Sequence, residues 1–283
     1  MRWEGRRQSS NIEDRRGMRV TRGGLVGGGL GTLAIALIVM FLGGDPTAVL
    51  QQAGEPQIQE TNVPYVETPE DKARREFVAT VLAATEDLWS RQFAEMGGQY
   101  QPPRLLLFRE AVESGCGIAD SGVGPFYCPQ DEGVYLDDTF FGEMATKLQA
   151  GGDFAYAYVV AHEVGHHVQN RLGISTRVQE MRPRVSEVEG NQLSVRLELQ
   201  ADCFAGIFGN YADAQGMIEP GDFDEGLRAA SAIGDDRLQR RSGGMVMPDS
   251  FTHGTSKQRE SWLHRGIQTG SVESCDTFKA ADL

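Results

Sequence analysis

Histidine is scarce in this chain: five residues in 283, with none before position 162. Cysteine is as sparse, with four residues and no Cys-x-x-Cys pair or adjacent histidine, which argues against a structural zinc module. Basic charge is also short, with 27 Lys and Arg against 40 Asp and Glu and a net charge of −13. Much of what exists is gathered at the front. Seven arginines in the first 22 residues face only Glu4, Glu13 and Asp14, a net of +4 that leaves −17 for the rest. So acidic a remainder excludes nucleic acid, and anionic lipid, as its main partner. No internal repeat is present, which excludes a solenoid. What is present is 40% apolar composition, enough for a substantial core in one large domain or two small ones.

Long uncharged apolar runs are missing too, with one exception. Leu25–Leu42 is uncharged over 18 residues, 20 with Gly23 and Gly24, near the lower limit for a spanning helix. Arginines before it and no basic residue just after it predict residues 1–22 in the cytoplasm and the bulk of the chain outside. That describes a single-pass protein of the inner (cytoplasmic) membrane, with residues 23–42 as its anchor. A cleaved signal peptide is the alternative, but Phe41-Leu42-Gly43-Gly44-Asp45 stands where a small-x-small site belongs. Gly24/Gly28 and Gly27/Gly31 have a helix-pairing spacing and read equally well as a glycine-rich helix entrance.

All four cysteines lie beyond this run, and an even count in an oxidising compartment predicts two disulfides. Cys116 and Cys128 bracket a tight loop and are expected to pair, which leaves Cys203 with Cys275. Residues 43–68, with Pro46, Pro56 and Pro64, read as an extended linker. Thr68-Pro69-Glu70-Asp71 is a helix-start signal, and the helix is predicted to run to about Met96 with Phe77, Val81, Leu82, Leu88, Trp89 and Phe93 buried. Strands are predicted at 104–109 and 133–137, then helices near 139–150, 154–171, 185–213, 222–240 and 256–268. Strands before helices indicate an α+β domain over residues 69–283, mostly helical with a small sheet.

Within the apolar run Phe154–Val168 lies His162-Glu163-Val164-Gly165-His166. Two histidines four apart on a helix lie about 40° apart around its axis, so both can face one zinc ion. Glu163, displaced by about 100°, can lean over the same metal as a general base without ligating it. A third ligand is expected from the helix around Leu193–Asp202, where Glu198 and Asp202 are four apart and share a face. Two acids in an otherwise buried helix call for a cation opposite. Glu198 is the predicted ligand, and Asp202 the acceptor that fixes the ring of a liganding histidine. His167 points about 100° away from the ligand face, to solvent or to a supporting hydrogen bond. Tyr156 and Tyr158 are expected to pack the helix against its neighbours, and His264 has no supporting context.

The pairing of His162–His166 with Glu198 and Asp202 resembles the gluzincin branch of zinc metallopeptidases. Gly124–Pro129, Val134–Asp137, Glu198–Gly206 and Ser274–Phe278 closely resemble the bacterial putative neutral zinc metallopeptidase family, whose members usually begin with a single membrane anchor. The resemblance spans nearly the whole chain and implies a zincin-like domain with Zn²⁺ as cofactor. The site is also similar to Ste24/HtpX-type peptidases, which carry Thr-His-Pro followed by an arginine. Thr252-His253-Gly254 with Arg259 matches except at the proline, which implies His253 as a donor to the reaction's oxyanion or product. Without that resemblance, His253 reads as a cap or surface group, and Arg259 as the partner of an acid on its own helix. The resemblance also implies that Val134–Asp137 forms the substrate-binding edge. The expected function is a membrane-anchored zinc peptidase acting on protein or peptide substrates. The alternative is a non-catalytic zinc-stabilised scaffold, which would have no need of Glu163.

Overall fold

The computed structural model describes residues 1–22, 58–62, 65–243 and 245–283. Its main sheet has the order β1-β4-β8-β7, built from β1 (Ile12–Asp14), β4 (Arg104–Phe108), β7 (Phe126–Cys128) and β8 (Gly133–Asp137). β1, β4 and β8 run parallel, and β7 is antiparallel to β8. Leu105–Phe108 and all of β8 are buried, as continuous apolar runs in a sheet covered on both faces should be. Leu105 and Leu107 face the helical core, while Leu106 and Phe108 join Val112 and Tyr135 beneath the hairpin β5 (Ala111–Ser114) and β6 (Gly117–Asp120).

The helical layer begins with α1 (Pro69–Glu95), started by a capping box between Thr68 and Asp71, and its predicted apolar stripe is buried. Then follow α2 (Phe140–Thr146), α3 (Asp153–Arg171), α4 (Ile174–Met181), α5 (Glu187–Ala214), α6 (Asp222–Ala232), α7 (Asp235–Arg241) and α8 (Ser256–Thr269). The single helix expected over 222–240 is two. Gly234 presses so closely on the backbone of Ser256 that a Cβ there would collide, and the chain breaks at this contact. α5 packs on α3 on one side and α8 on the other. At the second contact Gly206 and Gly266 face each other, and a Cβ on either would strike the opposing backbone.

The front of the chain departs most from expectation. Residues 1–22 are not a separate tail: β1 pairs with β4, the Ser9 amide donates to the Ala79 carbonyl at 2.9 Å, and Trp3 meets Phe77 edge-on at 5.5 Å. Arg16 is buried and donates to Asp14, Glu67 and Asp138 at 2.6–2.9 Å, while Arg109 donates to Asp71 and Asp138. Nor is 43–68 linker throughout. Ile58–Asn62 is a strand, β3, antiparallel to β2 (Met18–Arg22), and Tyr65 donates to Asp71 at 3.0 Å. The expected anchor at 23–42 and the linker residues 43–57 lie outside the described residues. Among the described residues no helix is long and apolar enough to cross a membrane. Since β2 leaves the folded body and β3 rejoins it alongside, residues 1–22 belong with 69–283.

Arg16→Ala would leave Asp138 buried beside one cation fewer. It should destabilise the protein by about 3–5 kcal/mol in denaturant unfolding, against under about 0.5 kcal/mol for Lys147→Ala, whose ion pair is exposed. Equal losses would remove Arg16 from its place as a structural anchor.

Candidate metal centre

α3 carries His162, Glu163 and His166, and α5 carries Glu198 and Asp202. The two helices meet at Gly165, where a Cβ would sit only 3.1 Å from the Ala201 carbonyl oxygen and 3.2 Å from the Ala201 Cα. A glycine between the two histidines lets α5 come close enough for Glu198 to reach both rings. Its Oε2 is 3.2 Å from His162 Nε2 and its Oε1 3.4 Å from His166 Nε2. Ligand atoms of His162, His166 and Glu198 lie within 4.8 Å of one another. Each histidine turns Nδ1 away, toward Asp202 or Gln169, leaving Nε2 for a metal. Two imidazoles and one carboxylate, converging with supported far sides, suit zinc with an open position.

Asp202 is fully buried, and its surroundings explain how a carboxylate survives there. Arg259 donates from Nε to Oδ2 at 2.8 Å and from Nη2 to Oδ1 at 2.9 Å, and the Tyr158 hydroxyl donates at 2.6 Å. His162 Nδ1 stands 2.9 Å from Oδ1, off the line of a well-aligned hydrogen bond. Burial alone would raise the Asp202 pKa, but Arg259 and His162 outweigh it and hold it below the ordinary range. Arg259 therefore answers an acid on a neighbouring helix, not one on its own. It also lies 3.8 Å from Glu198. Tyr158 is a hydrogen-bond partner as well as a packing residue.

His253 lines the cleft beside the ligands, about half exposed, with Nδ1 3.1 Å from Asp235. The backbone amides of Thr252, His253 and Gly254 also donate to Asp235, at 2.8, 2.7 and 3.1 Å. Asp235 is thus a positioning residue that the sequence reading missed. Its only local signal is an acid just after the Gly234 break. His167 is not at the surface. It is wholly buried, which pushes its pKa down, and Nε2 donates to the Gln101 carbonyl at 2.7 Å while Nδ1 accepts from the Tyr127 hydroxyl at 3.2 Å. Asn170 donates to the same hydroxyl at 3.0 Å. His264 lies outside this cluster, at an exposed position on α8.

The cleft above the ligands encloses about 730 Å³. Its wall includes Glu163, residues 123–127 and Pro129, with Phe140, Val159, Val178, Leu197 and Leu238 supplying apolar surface. Val134–Asp137 is not the free edge, because β8 lies between β4 and β7. The terminal strand beside the cleft is β7. Cys128, at its end, is bonded to Cys116, and Cys203 on α5 to Cys275 in the C-terminal segment.

The family described as Putative neutral zinc metallopeptidase matches residues 1–278. The chain is 48% identical over 289 residues to the uncharacterized protein YpfJ of Escherichia coli K12, covering 98% of this chain and 99% of that one. It is 41% identical over 261 residues to an uncharacterized protein of Mycobacterium tuberculosis H37Rv, covering 86% of each. No solved structure matches the chain.

Proton competition gives the centre a measurable signature. In the metal-free protein, burial opposes charge on His162, but Asp202 and Glu198 outweigh it and hold its pKa up at about 10. Burial likewise opposes charge on His166, and Glu198 raises it. Ligation needs neutral rings, so zinc must displace the proton that His162 retains at neutrality. Apparent zinc affinity should therefore climb as pH rises from 6 toward about 10. Calorimetry in buffers of different ionisation enthalpy should show proton release at pH 7. No release would contradict this electrostatic arrangement.

Proposed function

Because the chain belongs to the putative neutral zinc metallopeptidase family, we propose that it hydrolyses peptide bonds with zinc held by His162, His166 and Glu198. The observation that carries the proposal is Glu163, which lines the cleft beside a ligand set that is complete without it. Zinc, when bound, polarises the scissile carbonyl and acidifies water. Glu163 takes the proton from the attacking water and returns it to the leaving amine. His253, whose hydrogen bond to Asp235 raises its pKa, acts as the imidazolium, with Nδ1–H held by Asp235 and Nε2–H offered to the developing oxyanion. An extended peptide can lie along the outer edge of β7 by strand addition, with the apolar wall of the cleft receiving its side chains. A zinc-stabilised scaffold would leave Glu163 without a task.

Two disulfides support an oxidising, extracytoplasmic setting, and the apolar run Leu25–Leu42 supports attachment to a membrane. The β2–β3 pair brings the chain back where it left, so residues 1–22 share that setting with the metal centre.

Glu163→Gln should keep zinc and fold while lowering hydrolysis of an unstructured labelled polypeptide by about 10²- to 10⁴-fold. Loss of zinc from a folded variant would make Glu163 a ligand and end the assignment. For the setting, Glu4→Cys and Lys279→Cys should both react in intact cells with a thiol reagent that cannot cross the membrane. Reaction at 279 alone would restore a single crossing.

A further inference from the structure

The two metal-binding histidines are supported in different ways. His162 faces a buried carboxylate. His166 faces the side-chain amide of Gln169, one turn along α3, with its Nδ1 2.9 Å from Gln169 Oε1. An amide can accept through oxygen or donate through nitrogen, and the two ends have opposite consequences. Oxygen toward Nδ1 calls for a proton there and leaves Nε2 bare for zinc. Nitrogen toward Nδ1 would call for a bare Nδ1 and a proton on Nε2, the tautomer that cannot bind metal.

The surroundings decide which end faces the ring. Gln169 is fully buried, and its Nε2 donates to the Leu197 carbonyl at 2.7 Å and to Gln200 Oε1 at 3.1 Å. A carbonyl can only accept, so the amide nitrogen belongs on that side and its oxygen on the histidine side. Gln200, also buried, is turned in the same sense because its own Nε2 donates to the Cys275 carbonyl at 3.0 Å. Cys275 is tied to Cys203 on α5, and Arg196 donates to the carbonyls of Thr277 and Ala280 in the same segment. An oriented chain of hydrogen bonds therefore runs from the disulfide-held C-terminal segment to a metal ligand, ending in carbonyls that cannot reverse it.

We infer that Gln169 and Gln200 are positioning residues that hold His166 in its metal-binding tautomer, with the Cys275 carbonyl as the fixed end of the relay. This rests on the reading of His162, His166 and Glu198 as a zinc centre. It makes the C-terminal segment, more than 100 residues from His166 in sequence, part of the determinants of metal affinity.

The test uses the full-length protein and zinc itself, with affinity read by competition against a chelator and geometry by the visible spectrum of the cobalt-substituted form. Gln169→Leu, similar in size but without an acceptor, should weaken zinc about 10- to 100-fold and shift the cobalt bands. Gln169→Glu keeps an acceptor toward His166 but sets its second oxygen against the Leu197 carbonyl and Gln200 Oε1, so it should bind zinc more weakly than the unaltered protein and more tightly than the leucine variant. Gln200→Leu should weaken zinc less, because Leu197 still orients Gln169. It should add nothing once Gln169 is already leucine, since Gln200 acts only through it. Should Gln169→Leu fail to fold, Gln200→Leu alone must still shift affinity and spectrum, because it leaves the direct contact to His166 intact. Additive losses in the double variant, or an unmoved cobalt spectrum, would reduce the pair to ordinary core residues and overturn the relay. Failure of the unaltered protein to bind zinc would instead overturn the metal centre itself.

Discussion

A carboxylate with no solvent exposure sits at the junction of three helices, and the architecture around the cleft follows from keeping it there. An unpartnered buried charge costs several kcal/mol, so Asp202 is tolerable only while its partners stay in place. Those partners come from different parts of the chain: Arg259 from α8, Tyr158 and His162 from α3. α5, which carries Asp202, must be docked closely on both neighbours at once. Gly165 permits the approach on one side, and Gly206 with Gly266 on the other. The packing that satisfies the charge also sets Glu198 opposite His162 and His166. Core packing and ligand geometry are therefore one constraint here, not two.

α3 divides its contacts between the two walls of the cleft by the angle between successive residues. His166 faces α5, where Gln169 joins it to the wall braced by Cys203–Cys275. His167, about 100° around the helix, faces the other way and meets Tyr127 on β7, the wall braced by Cys116–Cys128. One histidine thus belongs to the metal and the next to the strand beside which a substrate can lie. Each disulfide stiffens a different wall. The helix between them holds the distance from metal to strand edge.

What could be read from the sequence was what is local. His162, Glu163 and His166 declare themselves by spacing on one helix, and Glu198 with Asp202 by spacing on another. The long helices and the two central strands follow from apolar periodicity and, for α1, from the capping residue Thr68. The non-local part was not legible in the same way. Nothing near Arg259 in the chain names Asp202 as its partner, and nothing near Asp235 names the loop at His253. Seven arginines ahead of an apolar run carry the charge pattern of a membrane orientation signal. A count of charges says nothing of the carboxylates on strands and helices far along the chain that claim several of them: Arg7 meets Glu86 and Asp87, and Arg16 meets Asp138. β1 is only three residues long, too short for periodicity to reveal, and exists because β4 offers it an edge.

Charge balance explains why the two histidines are supported by different groups. With zinc bound, the metal's two charges and that of Arg259 equal the three carboxylates Glu163, Glu198 and Asp202. A second carboxylate behind His166 would leave this buried cluster with one negative charge too many, and no further cation is in reach of Gln169 among its contacts. A side-chain amide supplies the acceptor that His166 needs without adding a charge. Its drawback is that it can be turned either way, whereas a carboxylate cannot present a donor. Neutrality behind His166 therefore requires something to fix the amide's direction. The carbonyls of Leu197 and Cys275 do so because each can only accept.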